Sequence, residues 1–160
     1  MKDPYTELAI VDTKGREVKD PDAIEDDAEF ARSRLAPQPE FGQVKTPDEI
    51  IDDLEWAKHL SARCAVIIRD ADKTRRAVKR VYSLAHGRAL KASTAKSAEL
   101  READAFEGTV QLQELVDDAE IAYNFAKDVA RSVEQSASAV QTQSKMVAIT
   151  YGLAGTGRES

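Results

Sequence analysis

One cysteine, two histidines and 6% aromatic residues leave little material for most kinds of chemical site. The lone Cys64 allows no internal disulfide and no cysteine-only zinc centre. Neither His59 nor His86 stands in a metal-binding spacing such as HExxH. The only glycine cluster, GLAGTG, lies in the C-terminal tail without the lysine and following helix that a phosphate loop needs. No converging nucleophile, base and metal set can be named, so an enzyme is the class least expected. No catalytic residue, metal ligand or cofactor is assigned. No apolar run approaches the roughly 18 residues of a membrane span, so no membrane partner is expected. The opening MKDPYTELAI lacks the basic-then-apolar form of a signal peptide. The expected compartment is therefore a cytoplasm.

Proline is absent after Pro47, and Gly87 is the only glycine between Gly42 and Gly108. Long stretches are thus free of helix breakers. Apolar residues make up 42% of the 160, much of it alanine, and charged residues 32%. That balance suits extended helix-on-helix packing with a large solvated surface. The fold class expected is all-α: a long antiparallel helical hairpin or coiled coil, with a short N-terminal hairpin or small helix appended, assembling as an oligomer.

Along the chain, TELAIVDTKGREVK alternates weakly around a TKG turn and could form a short hairpin, which is marginal alone. In DPDAIEDDAEFARSRLA, Asp20 can cap a helix and Pro21 fits its first turn. APQPEFGQVK reads as a linker. TPDEIIDDLEW sets Thr46 at an N-cap, Pro47 at the first helical position and Glu49 at the third, a capping box. From there a helix can run to about Lys91, softened at His86-Gly87. Its seam, Ile50, Leu54, Ala57, Ser61, Cys64, Ile68, Ala71, Arg75, Val78, Tyr82, Ala85 and Ala89, steps by four and three. Arg75 and Ser61 interrupt it, so packing should loosen near Arg75 or admit a partner there. Thr94 or Ser97 can cap a short helix from Ala98 to Phe106. A second long helix starts near Gly108-Thr109, with a seam of Leu112, Leu115, Ala119, Ala122, Ala126, Val129, Val133, Ser136, Val140, Gln143 and Val147. Glycine should end it near Tyr151-Gly152. The expected organisation is an acidic segment 1–45, a helical hairpin 46–151 and a flexible tail 152–160.

Charge is the strongest signal. The chain carries net −6, yet RDADKTRRAVKRVYSLAHGRALKASTAK (69–96) holds nine Lys or Arg against two acids. Residues 97–128 reverse this, with nine acids and two bases. On a helix Arg69, Lys73, Arg76 and Arg80 step by four, three and four along one outward face. Lys79, Arg88 and Lys91 add to the basic surface, and Tyr82 and His86 could stack on bases. Such a row can follow spaced phosphates, with salt-dependent binding. The plainer alternative is a solvated face neutralised by the acidic second helix or by a neighbouring subunit. Trp56 lies off the seam, and partial core packing suits it better than an oligomer contact. Cys64 suits a small core position. Asp117 and Asp118, with Glu114 and Glu120, diverge around a helix and suit a solvated face rather than a metal site.

KTRRAVKRVYSLAHGRA resembles the basic helix of the UvsY-type recombination mediators of tailed phages. KSAELREADAFEGTVQLQELVDDAEIAYNFAKDVARSVEQSASAVQTQ is similar in layout to the segment C-terminal to that helix in the family. The resemblance covers about residues 50–150, and residues 1–45 have no counterpart in it. It implies a small helical homo-oligomer that binds single-stranded DNA and helps load a RecA-like recombinase on DNA covered by a single-strand-binding protein. It also implies DNA contacts at Lys79 and Arg80, and assembly through the C-terminal region: Val129, Val133, Val140, Val147 and Tyr151. The rival classes are a structural coiled-coil scaffold or assembly protein, and an adaptor that binds another protein through the acidic N-terminus.

Overall fold

A computed structural model describes residues 1–35 and 45–156, with the backbone alone for 151–156. The expected linker falls on 36–45 and lies, but for Lys45, outside the described residues. Four helices are arranged in the order α1 (Pro21–Ser33), α2 (Pro47–Ala92), α3 (Ala98–Glu107) and α4 (Val110–Thr156). The chain is all-helical in the sense expected, and α2 and α4 form its dominant packed pair.

Local signals set the helix starts. Asp20 accepts from the backbone N–H of Asp22 at the head of α1, and Ser97 accepts from Leu100 at the head of α3. Thr46 and Glu49 close the capping box of α2. With no proline inside it beyond its first position, α2 then runs 46 residues, about 69 Å at 1.5 Å per residue. It does not break at Gly87. α4 runs 47 residues and does not stop at Tyr151-Gly152 as expected, but continues to Thr156. A glycine inside a helix costs only about 1 kcal/mol relative to alanine and does not by itself end one.

The N-terminal segment reverses direction as the TKG turn suggests, but forms no strand among the described residues. Its pairing is limited to two isolated antiparallel bridges, Lys2 with Ala9 and Val11 with Glu17. Asp12 organises the turn: its carboxylate accepts from the backbone of Lys14 and Arg16 and from the Arg16 guanidinium. Gly15 takes a positive φ of 73° there, where a side chain would be strained.

α2 and α4 run antiparallel. Leu60, Cys64, Ile67 and Ala71 share a core with Ala122, Ala126, Val129 and Val133, while Ala77 and Val78 meet Val116 and Ala119. The expected seam divides by depth. Ile50, Ala57, Cys64, Ala71 and Val78 are buried, whereas Leu54, Ser61, Ile68, Arg75 and Tyr82 are half-buried. A further buried stripe, Leu60, Ile67 and Thr74, lies outside that seam. It faces a third layer: α1 contributes Ile24, Ala28 and Ala31 to the same core, and the buried Thr74 hydroxyl donates to the Lys19 carbonyl at 2.8 Å. Trp56 is 43% exposed, and its indole N–H donates to the Arg34 carbonyl at 2.7 Å, fastening the end of α1 to α2. Cys64 is buried, and burial pushes its thiol pKa up. Among the described residues no helix is long and apolar enough to cross a membrane.

Candidate nucleic-acid interface

The basic run lies wholly on α2 up to Ala92, on a helix continuous through Gly87. Its cations divide by the angle at which the helix presents them. Arg75 points into the seam. One guanidinium nitrogen donates to Glu120 of α4 at 3.2 Å and another to Asp72 at 2.9 Å, and the group lies 4.2 Å from the centre of the Tyr123 ring. At the level of Arg75, where looser packing or an entering partner was expected, α4 supplies a carboxylate and an aromatic face. Its buried Nε has no acceptor among the described residues. Lys79 is drawn to the same partner and reaches Glu120 at 2.7 Å.

Arg69, Lys73, Arg76 and Arg80 lie on the far side from α4. The Arg76 side chain is 76% exposed and is tied, among the described residues, to Asp72 of its own helix at 2.9 Å. Arg69 and Lys73 both approach Asp70, at 3.2 and 3.5 Å. The Arg80 guanidinium donates to the Val11 carbonyl at 2.6 Å, so its head reaches the N-terminal segment while the residue stays exposed. Arg88 and Lys91 continue the surface toward the end of α2. From Arg69 to Lys91 the helix advances about 33 Å. Exposed Val66 and Leu84 share this face. Neither was expected on it, because isolated apolar residues outside a seam carry no periodic signal.

Tyr82 and His86 are used inside the fold. Tyr82 is half-buried beside the core that holds Ile10 and Val78, and its ring stacks on His86 with centroids 5.5 Å apart. His86 Nε2 lies 3.0 Å from Glu102 of α3, and Ser93 donates to Asp104 at 2.6 Å, so polar contacts hold α3 to the end of α2.

The electrostatics reflect these pairs. A hydrogen bond from Lys79, opposed by burial and reinforced by Arg75, holds the Glu120 carboxyl below its ordinary pKa. Burial works against the charge on Asp72, yet hydrogen bonds from Arg75 and Arg76 prevail and its pKa is also lowered. At the N-terminal turn the Arg16 side chain leads in holding Asp12 down to about 2. Glu120 is thus committed to cations, and Asp117 accepts from Gln113 at 3.0 Å. Among the described residues no group of three or more His, Cys, Asp and Glu side chains is placed to hold a metal ion.

The residues expected to drive assembly lie elsewhere. Val129 and Val133 are buried in the chain's own core, and Val140 is buried beside Trp56 and Leu60. Val147 is half-buried, and the Tyr151 side chain lies outside the described residues. The chain matches no protein-family model, no curated protein and no solved structure.

Proposed function

We propose that this protein is a non-enzymatic, single-stranded-DNA-binding recombination mediator, which helps a RecA-like recombinase load on DNA held by a single-strand-binding protein. The observation that carries the reading is the outward row of Arg69, Lys73, Arg76 and Arg80, continued by Arg88 and Lys91. These cations lie along one continuous helix, with Arg69, Arg76 and Arg80 exposed and Lys73 half-buried, and the acids nearest to Arg69, Lys73 and Arg76 are Asp70 and Asp72 of the same helix. Each phosphate neutralised by such a row releases counterions, which gives affinity without sequence preference. Several subunits presenting their rows together would convert weak single contacts into avidity. The recombination role and the recombinase partner rest on the resemblance of residues 50–150 in sequence pattern to the UvsY-type mediators.

Fluorescence anisotropy with a labelled single-stranded oligonucleotide tests the site. Replacing Arg69, Arg76 and Arg80 together by alanine is expected to weaken binding roughly tenfold or more at low salt. Circular dichroism should show unchanged helicity, because all three side chains are on the surface. Lys79→Ala should cost less, since Lys79 is already held by Glu120. Unchanged binding in the triple variant would remove the site.

A second reading rests on the same geometry. Asp70, Asp72, Glu120 and the Val11 carbonyl already engage much of the run. A helical scaffold or assembly protein, or an adaptor working through its acidic N-terminus, would need no more than that. A defined oligomer with no DNA binding at low salt would favour it.

A further inference from the structure

The closed end of the helical hairpin carries acidic and apolar side chains side by side on its surface. Residues 97–118 hold seven acids against the single base Arg101. Glu99, Glu107 and Glu114 are exposed and have no ion pair among the described residues. Amid these acids sit large exposed apolar side chains: Phe106 at 51%, Val110 at 37% and Tyr5 at 46%. They are neighbours. Phe106 and Val110 flank the two-residue junction of α3 and α4, and the Tyr5 hydroxyl accepts from the Gln111 backbone N–H at 3.2 Å. An apolar patch with an acidic rim calls for a partner with the opposite rim.

That partner surface exists on the same chain. The outward face of α2 sets Arg69, Arg76 and Arg80 beside exposed Val66 and Leu84, a basic rim with apolar anchors. One chain cannot close the contact on itself, because the row points away from α4 on a continuous helix. We propose that the acidic closed end of one copy docks on the basic face of α2 of a second copy. The contact joins two different patches, so each copy offers one of each and the arrangement propagates into a ring or a filament. Assembly through this contact and nucleic acid then compete for the same cations, so copies docked in this way do not add their rows on one strand, and the avidity described above belongs to a different contact. The proposal itself needs no nucleic acid, and its failure is separable from failure of the DNA reading.

Sedimentation velocity of the full chain, without DNA, tests it. The wild type is expected to form larger species at low salt and to lose them near 1 M salt, where the screening length falls to about 3 Å. An end variant, Glu107→Lys with Glu114→Lys, and a row variant, Arg76→Glu with Arg80→Glu, should each lose those species at low salt while keeping wild-type helicity. Mixing the two variants should restore association, because the basic end of one now meets the acidic row of the other. A wild type that is monomeric at low salt overturns the proposal. So does an oligomer indifferent to salt and to both charge changes, or a mixture of variants that stays apart.

Discussion

At the scale of single residues, two positions separate local preference from packing. Gly87 lies inside α2 with an ordinary helical backbone, and a Cβ added there meets nothing within 4 Å. Gly87→Ala should therefore stabilise the protein by about 0.5–1 kcal/mol, through the entropy glycine loses on folding. A thermal melt should rise by roughly 1–4 °C. A lower melting temperature would mean that the glycine serves a contact the fold does not show. Thr74 is the converse case. It is fully buried, and its hydroxyl ties α2 to the Lys19 carbonyl just before α1. Thr74→Val keeps the shape and removes the donor, which should cost about 1–3 kcal/mol in denaturant unfolding. Neither the burial of Thr74 nor its hydrogen bond was legible in the sequence, since a threonine outside the seam reads as surface until a third layer covers it.

Among the elements, the helices themselves were legible because caps and breakers are local. Asp20-Pro21, Thr46-Pro47-Glu49 and Ser97 act within a few residues of where they stand. The long-range facts were not. A heptad counts one partner, whereas α2 has two, and so buries Leu60, Ile67 and Thr74 beyond its seam. The same limit hid the use of Arg75 and Lys79: the acidic 97–128 block announces some neutralisation, but only packing shows that Glu120 is the residue that makes it. That junction gives a pH prediction. Folding lowers the carboxyl pKa of Glu120 from its ordinary 4.5, so the stability it adds is fully present above that value. It is lost as pH falls through the lower, folded value. Glu120→Gln should accordingly flatten the fall of melting temperature below pH 4.5, with little change in its slope near neutrality. Equal acid slopes in variant and wild type would mean the Arg75–Glu120–Lys79 cluster adds nothing to the α2–α4 pairing.

For the whole molecule, the charge blocks acquire a geometry. Arg75 and Lys79 are absorbed at the seam by Asp72 and Glu120, while Arg69, Lys73 and Arg76 line the face of α2 that looks away from α4 and pair there with Asp70 and Asp72 of their own helix. The negative block splits likewise between Glu120 in the seam and the open acidic rim at the closed end. An acidic chain thus carries two surfaces of opposite sign, one along the outward face of α2 and one at the closed end of the hairpin where α3 meets the end of α2. The outward face, and not the total charge, is the central claim. It is tested most directly by the slope of log affinity against log salt for a single-stranded oligonucleotide, in the wild type and in the Arg69→Ala, Arg76→Ala, Arg80→Ala variant. Each lost phosphate contact should make the slope shallower by about 0.7, so the triple variant should differ from the wild type by about 2. Equal slopes would contradict the assignment, for the strand would then be held somewhere other than this row.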